Sequence, residues 1–161
     1  MKVLRVYVDT SVLGGCFDRE FELWSKGLME DFQNGQFRAV LSDVTAAEVM
    51  DAPEPVRDVY ADLLSLGAEI LPVTPEVLGL RAKYLERGVL RTRFENDMLH
   101  IALATVADVD VLVSWNFRHI VRLEKIRLFN AVNIELGYKA LTIYSPREVT
   151  IYGREQGDPG S

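Results

Sequence analysis

The spacing of hydrophobic and polar residues predicts strands that alternate with helices along the chain. Short apolar runs rich in β-branched residues are typical of buried strands, and they cover residues 3–8, 37–41, 69–73, 109–113 and 141–144. Apolar residues at helical spacing, with Gly, Asn or Pro at the ends, predict helices over the segments between them: 21–34, 45–52, 56–66, 75–87, 96–106 and 120–136. Such alternation favours an α/β fold, a mainly parallel sheet with helices on both faces.

Two features of this pattern describe the organisation of the chain. Gly14-Gly15 is expected to break the chain after the first strand, and the 96–106 helix is apolar on nearly every side and should be buried. We see no repeat and no linker, so residues 1–150 are predicted to form a single domain. The polar residues 151–161 are expected to be a disordered tail.

Composition narrows the class of protein. The 161 residues are 48% hydrophobic and 26% charged, which is ordinary for a globular domain. Cys16 is the single cysteine, so no internal disulfide can form. No run approaches the roughly 18–20 apolar residues that span a bilayer, and the opening MKVLRVYVD is too short for a signal peptide. We therefore expect a soluble cytoplasmic protein with no membrane partner.

Polar residues with metal-binding chemistry collect where the predicted strands end. Asp9 follows the first strand, Asn116 follows the fourth, Glu48 lies one turn into the helix after the second, and Asp97 begins the buried helix. The carboxyl ends of parallel strands form one edge, where ligands bind in open α/β sheets. Carboxylates brought together repel one another unless a cation lies between them. The sequence therefore predicts an Mg²⁺ or Mn²⁺ site, able to activate water against a phosphate.

Each of these residues also has a structural interpretation. Asp9 could cap a turn through Thr10-Ser11, Glu48 could complete a capping box with Thr45, and Asp97 could favour a helix N-terminus. The functional hypothesis therefore depends on the set.

Neighbouring residues are interpreted conservatively. His100 lies three residues after Asp97, but a hydrogen-bonded helix histidine is favoured over a ligand. His119 is a weak candidate for touching a phosphate, and Trp115 is interpreted as a packing residue.

Other chemistries lack their required residues. The sequence contains no GxxxxGK[ST] phosphate loop and no G-x-S-x-G nucleophile elbow. One cysteine and two histidines give neither a persuasive triad nor a zinc site.

Charge is distributed unevenly. The net charge of −6 is unfavourable for binding nucleic acid, yet half of the 18 basic residues lie in two windows that bracket the candidate site. These are Arg81, Lys83, Arg87, Arg91 and Arg93, and Arg118, Arg122, Lys125 and Arg127. Two interpretations stay open: solvated helix faces, or a rim that attracts phosphates.

Four segments together resemble the PIN domains, a family that includes the toxins of VapBC toxin–antitoxin pairs. They are VYVDTSV at 6–12, LSDVTAAEV at 41–49, DMLHIALA at 97–104 and LVSWNF at 112–117. Residues 133–146 also resemble the closing helix and strand of the family, so the resemblance covers residues 3–148. Asn116 departs from the pattern, because the fourth motif usually carries Thr and Asp.

This resemblance implies a Rossmann-like three-layer α/β/α fold, RNA cleavage that depends on Mg²⁺ or Mn²⁺, and frequently a homodimer. It assigns the metal to Asp9, Glu48 and Asp97, whereas Asn116 offers an amide oxygen and one charge fewer. Two hypotheses follow. The first is an endoribonuclease acting on single-stranded RNA, as the toxin of a pair with an antitoxin. The second is a non-catalytic module of the same fold that binds RNA or protein.

Overall fold

A five-stranded parallel sheet forms the centre of the molecule in the computed structural model, which describes residues 2–157. The strand order is β3-β2-β1-β4-β5. The strands are β1 Leu4–Val8, β2 Phe37–Ser42, β3 Glu69–Leu71, β4 Val111–Val113 and β5 Ile143–Tyr144. Each predicted strand is therefore present, and the predicted parallel α/β architecture is confirmed.

Helices connect the strands and cover both faces of the sheet. They are α1 Thr10–Gly15, α2 Glu22–Gln33, α3 Asp43–Met50, α4 Glu54–Ser65, α5 Pro75–Glu86, a 3₁₀ helix Thr92–Phe94, α6 Glu95–Val106, α7 Leu123–Glu135, α8 Pro146–Val149 and α9 Tyr152–Gly157. Every predicted helix has a counterpart, although α7 begins at Leu123 instead of residue 120.

The core has two halves because side chains alternate across each strand. Tyr7, Val40 and Leu112 point to one face, where they pack with residues of α5, α6 and α7. Val6, Val8, Leu41 and Val113 point to the other face, towards α1, α2 and α4. This arrangement gives the three layers of the fold.

The central position of β1 determines where its last residues lie. Val8 pairs with Val113 of β4, and Tyr7 pairs with Val40 of β2. Asp9 continues β1 with a hydrogen bond from its N–H to the Val113 carbonyl, 3.0 Å. Asp9 therefore lies in the middle of the carboxyl edge, between the ends of two neighbouring strands.

The short helix α1 was not predicted from the sequence. The helix ends with Gly14 and Gly15. The chain therefore breaks near these glycines as expected, but the residues before the break form a short helix. A Cβ on Gly15 would lie 2.5 Å from Ser25 Oγ and from Trp115 Nε1. Gly15 therefore lets α1 approach the chain that follows β4.

The predicted disordered tail is wrong for residues 152–157, which form α9. Buried Asp31 of α2 accepts hydrogen bonds from the Thr150 hydroxyl and from the backbone N–H groups of Ile151 and Tyr152, at 2.7, 2.9 and 2.9 Å. These bonds fix the entry to α9, which a sequence pattern alone does not reveal. Residues 158–161, the rest of the predicted tail, lie outside the described residues.

Close backbone packing completes the contact between α2 and α9. A Cβ on Gly27 would lie 2.5 Å from the Gly153 Cα. A residue without a side chain at position 27 is therefore required for the two helices to lie this close.

Within residues 2–157, no helix has the length and apolar character needed to cross a bilayer.

Candidate active site

Asp9 is a buried carboxylate at the carboxyl edge of the sheet, with 6% of its surface exposed. Its Oδ2 accepts hydrogen bonds from the hydroxyls of Ser11, 2.6 Å, and Ser114, 2.8 Å. Its Oδ1 lies 3.4 Å from His100 Nε2. Although Asp9 precedes α1, its side chain makes no capping hydrogen bond. Asp9 is therefore not a backbone cap of α1, and its contact with the Thr10-Ser11 turn is the hydrogen bond from the Ser11 hydroxyl.

Glu48 reaches the same edge from α3 and is half-buried. Its Oε1 accepts hydrogen bonds from Thr10 Oγ1, 2.9 Å, and from His100 Nε2, 2.6 Å. Burial opposes its ionisation, but the His100 and Thr10 contacts together lower the pKa of Glu48. The capping box of α3 is formed by Ser42 and Thr45. The alternative that Glu48 completes this box is therefore wrong.

His100 is fully buried on α6 and holds Glu48 in place. Its Nδ1 lies 2.6 Å from the Tyr7 hydroxyl, which lies 2.7 Å from Ser42 Oγ. Burial disfavours a charged ring, but Tyr7, Glu48 and Asp9 outweigh it and raise the pKa of His100 well above 6.5. Each ring nitrogen has a hydrogen-bond partner, Glu48 for Nε2 and Tyr7 for Nδ1. The sequence interpretation of a hydrogen-bonded histidine is confirmed, and this histidine also belongs to the site.

Asp97 comes from the first turn of α6. Its Oδ2 lies 3.0 Å from His119 Nδ1. Burial and the negative charge of Asp9 raise the pKa of Asp97, while His119 and His100 act in the opposite direction. The negative charge of Asp9 therefore acts on Asp97 across the site.

Asn116 has local hydrogen bonds instead of contacts with the carboxylates. Its Oδ1 accepts from the backbone N–H groups of Arg118, 3.2 Å, and His119, 2.9 Å. Its own N–H donates to Ser114 Oγ, 2.9 Å. Asn116 thus closes the turn that brings His119 to Asp97. Its place among the metal ligands stays a prediction, and these contacts do not favour it.

The donor atoms suit a hard divalent cation in type but are only partly arranged for one. Within the described residues, no three Asp, Glu, His or Cys side chains stand close enough to hold a metal ion together. Glu48 is hydrogen-bonded to His100, and Asp97 to His119. Carboxylate oxygens are what Mg²⁺ and Mn²⁺ prefer, and the repulsion between Asp9 and Asp97 is what a cation relieves. The types of donor atom therefore suit such a cation, and the role of Asp9 and Asp97 as its ligands stays a prediction.

Sequence reasoning missed three residues that support the carboxylates: Tyr7, Ser42 and Ser114. Ser42 and Ser114 end or follow buried strands next to β1, so the rule that located Asp9 also applies to them. Nothing in the sequence marks Tyr7, because a tyrosine in a buried strand is ordinary packing. Trp115 packs as expected: its ring stacks on Phe21 at 4.1 Å.

The two basic windows divide into different environments. Arg81, Lys83 and Arg87 form ion pairs with Glu95, Glu86 and Glu135, at 4.0, 3.2 and 2.7 Å. The remaining basic residues, except Arg127, line one cavity of about 380 Å³. We call this cavity the basic groove; its charged residues are Arg91, Arg93, Arg118, Arg122 and Lys125. The first part of the first window is therefore ion-paired, whereas the groove, as far as the structure describes the chain, contains one ion-paired residue, Arg122, which contacts Glu124 at 3.3 Å.

Comparison with known proteins agrees with this fold. The sequence model of the PIN domain matches residues 6–120, whereas the search of curated proteins finds no match. A chain of the VapBC2 structure from Rickettsia felis, bound to a DNA fragment from its promoter, is similar with a TM-score of 0.57 at 15% identity, over 88% of this chain and 98% of that chain. A chain of VapBC-1 from nontypeable Haemophilus influenzae gives 0.54 at 14% identity, over 89% and 99%. With more than half of its length matched by the family model, this chain belongs to the PIN domain family.

Proposed function

We propose that this protein is a divalent-metal-dependent endoribonuclease that hydrolyses phosphodiester bonds in single-stranded RNA. The observation that carries the proposal is the pair Asp9 and Asp97, two partly desolvated carboxylates that repel each other at the carboxyl edge of a parallel sheet. Membership of the PIN domain family supports it. Such a pair destabilises the fold, and a bound cation removes the repulsion.

Each residue of the cluster has a distinct role in this proposal. Asp9 and Asp97 hold the ion, which supplies Lewis-acid activation of a phosphate and of water. Glu48 accepts both of its hydrogen bonds at Oε1. Its other carboxylate oxygen, Oε2, can contact the surroundings of the ion or accept a proton. His100 positions Glu48, and His119 positions Asp97.

We also propose an antitoxin protein as the partner. The similarity in fold to chains of two VapBC structures supports this proposal. We further propose that the protein is a homodimer and is cytoplasmic, as expected from the family resemblance and the composition.

A non-catalytic binding module is the second candidate. Two observations favour it: the hydrogen bonds that hold Glu48 and Asp97 on histidines, and Asn116 in the fourth motif. In that case the carboxylates would support the turns around them, and no ion would be required.

Metal-dependent cleavage distinguishes these candidates. Labelled single-stranded RNA is incubated with the purified protein in millimolar Mg²⁺ or Mn²⁺, or in EDTA, and the products are separated on a denaturing gel. We expect cleavage with either ion and none in EDTA, and no cleavage by an Asp97→Asn protein purified in parallel. Calorimetry with Mn²⁺ accompanies the assay. RNA left intact with both ions, together with no heat of Mn²⁺ binding, would favour the second candidate.

A further inference from the structure

The basic groove is formed by two segments that are separate in sequence. One wall is the chain from Gly88 through the 3₁₀ helix to Phe94. The other wall is the turn after β4 together with the first turn of α7, which carries Arg122 and Lys125. The fold therefore brings the end of the first basic window, which carries Arg91 and Arg93, against the second window.

The positive charge of the groove is concentrated. Among the described residues that line it, none is acidic, although the whole chain has a net charge of −6. Lys125 donates to the neutral carbonyl of Val89 at 2.9 Å. Arg122 contacts Glu124 at 3.3 Å, but both side chains are more than half exposed, so this pair is weak. A phosphate entering the groove thus meets a positive field in an acidic protein.

The N-terminus of α7 adds to this field. Arg122 is the N-cap residue of this 13-residue helix, and no side chain caps it. Uncapped N–H groups and the positive end of the helix dipole favour an anion at this position. This feature is independent of the arginine side chains.

An aromatic pair lies between the charged walls. The rings of Phe94 and His119 are 3.9 Å apart, and the Arg93 guanidinium lies 4.7 Å from the Phe94 ring centre. Aromatic rings and guanidinium planes stack on unpaired bases, whereas a duplex keeps its bases stacked inside. A walled groove of about 380 Å³ with an aromatic side chain suits a single strand better than a duplex.

The groove leads to the carboxylates. Arg93 and Phe94 also line an adjoining cavity of about 540 Å³ that contains Asp97. His119, which lines the groove, is hydrogen-bonded to Asp97 at 3.0 Å. The basic groove and the cavity beside Asp97 are therefore adjacent.

We infer that the basic groove binds the backbone of single-stranded RNA and guides it to the Asp9 and Asp97 carboxylates, an inference that rests on the proposed function. Arg91 and Arg118, on opposite walls, bind phosphates, and Phe94 stacks on a base.

Binding without cleavage tests the groove separately from catalysis. A short labelled oligouridine is titrated with each protein in EDTA, and its fluorescence anisotropy is recorded at several salt concentrations. The groove variant is Arg91→Gln/Arg118→Gln, two exposed side chains. The matched control is Lys83→Gln/Arg87→Gln, which removes the same charge from the same chain at two ion-paired positions. We expect the groove variant to bind about tenfold or more weakly, and its salt slope to fall by about 0.7 for each phosphate that it no longer binds. The control should bind within about twofold of the parent.

The remaining outcomes are equally informative. Parent-like binding by the groove variant, equal weakening of the control, or no binding by the parent would overturn the inference. A duplex of the same length that binds as tightly as the single strand would overturn its choice of ligand. Loss of binding in the groove variant alone supports the groove even if the parent cleaves nothing in Mn²⁺, in which case the proposed function fails by itself. If the groove variant cleaves RNA as fast as the parent, the proposed nuclease activity is supported and the proposed role of the groove is contradicted.

Discussion

Two buried aspartates, Asp9 and Asp31, have opposite surroundings. Asp31 is 1% exposed, and both of its oxygens accept hydrogen bonds from neutral donors at the entry to α9. Asp9 is 6% exposed; two hydroxyls donate to its Oδ2, while its charge acts on His100 and Asp97.

The difference shows that burial by itself does not identify a functional acid. Neutral dipoles from one short segment satisfy Asp31, so its charge serves to hold the chain in place. Asp9 is surrounded by groups that titrate, and one of them carries the same charge. An unbalanced set of ionisable groups is the better indicator of a site.

The same substitution at both positions should separate these roles. Asp9→Asn keeps the shape of the side chain but removes the charge that holds the ion. We expect RNA cleavage in Mg²⁺ to fall by about a thousandfold, equivalent to about 4 kcal/mol in the activation barrier. The free energy of unfolding, measured with urea, should change by less than about 1 kcal/mol. Cleavage at the parental rate would show that Asp9 holds no catalytic ion, and unfolding of the variant would give Asp9 a structural role.

Asp31→Asn should give the reverse result. An amide cannot accept all three hydrogen bonds, so a buried donor near Thr150 loses its partner. We expect the free energy of unfolding to fall by about 2–3 kcal/mol, while the cleavage rate of the folded protein stays within about twofold. Urea titration and the gel assay measure the two quantities on the same preparation. A stable variant with impaired cleavage would contradict the contrast with Asp9.

The titrating neighbour of Asp9 should make stability depend on pH. Because the folded protein raises the pKa of His100 above 6.5, its contribution is complete below about pH 6.5 and is lost as the pH rises through the raised pKa. In EDTA, we expect the free energy of unfolding of the parent to decrease above pH 6.5, by at most about 1.4 kcal/mol per pH unit. His100→Gln keeps a donor for Glu48 but does not titrate, so this decrease should be absent. Equal slopes in the two proteins would assign the dependence to another group.

Asn116→Asp should have the smallest effect. The sequence predicts tighter metal binding from an added carboxylate, but Asn116 Oδ1 already accepts two backbone hydrogen bonds, and a carboxylate oxygen can accept both. We therefore expect the affinity for Mn²⁺ to change by less than about threefold in calorimetry. An increase of tenfold or more would place residue 116 among the ligands, as the fourth motif of the family implies.

The sequence was informative where a pattern is local or where topology imposes a rule. Buried apolar runs located all five strands, since a parallel strand covered on both faces leaves an almost continuous hydrophobic signal. The rule for carboxyl ends of parallel strands predicted, without knowledge of any contact, that Asp9, Glu48 and Asp97 share one edge of the sheet, and their catalytic role stays a prediction.

The sequence was least informative where distant residues decide the structure. Helix α9 is polar and short, and it depends on Asp31 and on the packing of Gly27 against Gly153. The interaction of His100 with Glu48 joins two helices, 52 residues apart in the chain. Some residues of the basic windows are ion-paired and others line the groove. Which residues are paired depends on the acids that the fold places beside them, and composition does not contain that information.

The central position of β1 has a consequence for the timing of synthesis. Ser114, which donates to the Asp9 carboxylate, is translated 105 residues after Asp9. The strand on one side of β1 is β4, so the site is incomplete until Val111–Val113 and the turn that carries His119 have been translated. A nascent chain from which these segments are still missing therefore lacks the assembled cluster. Under the proposed function, RNA cleavage is delayed until the segments that carry Ser114 and His119 have joined the fold.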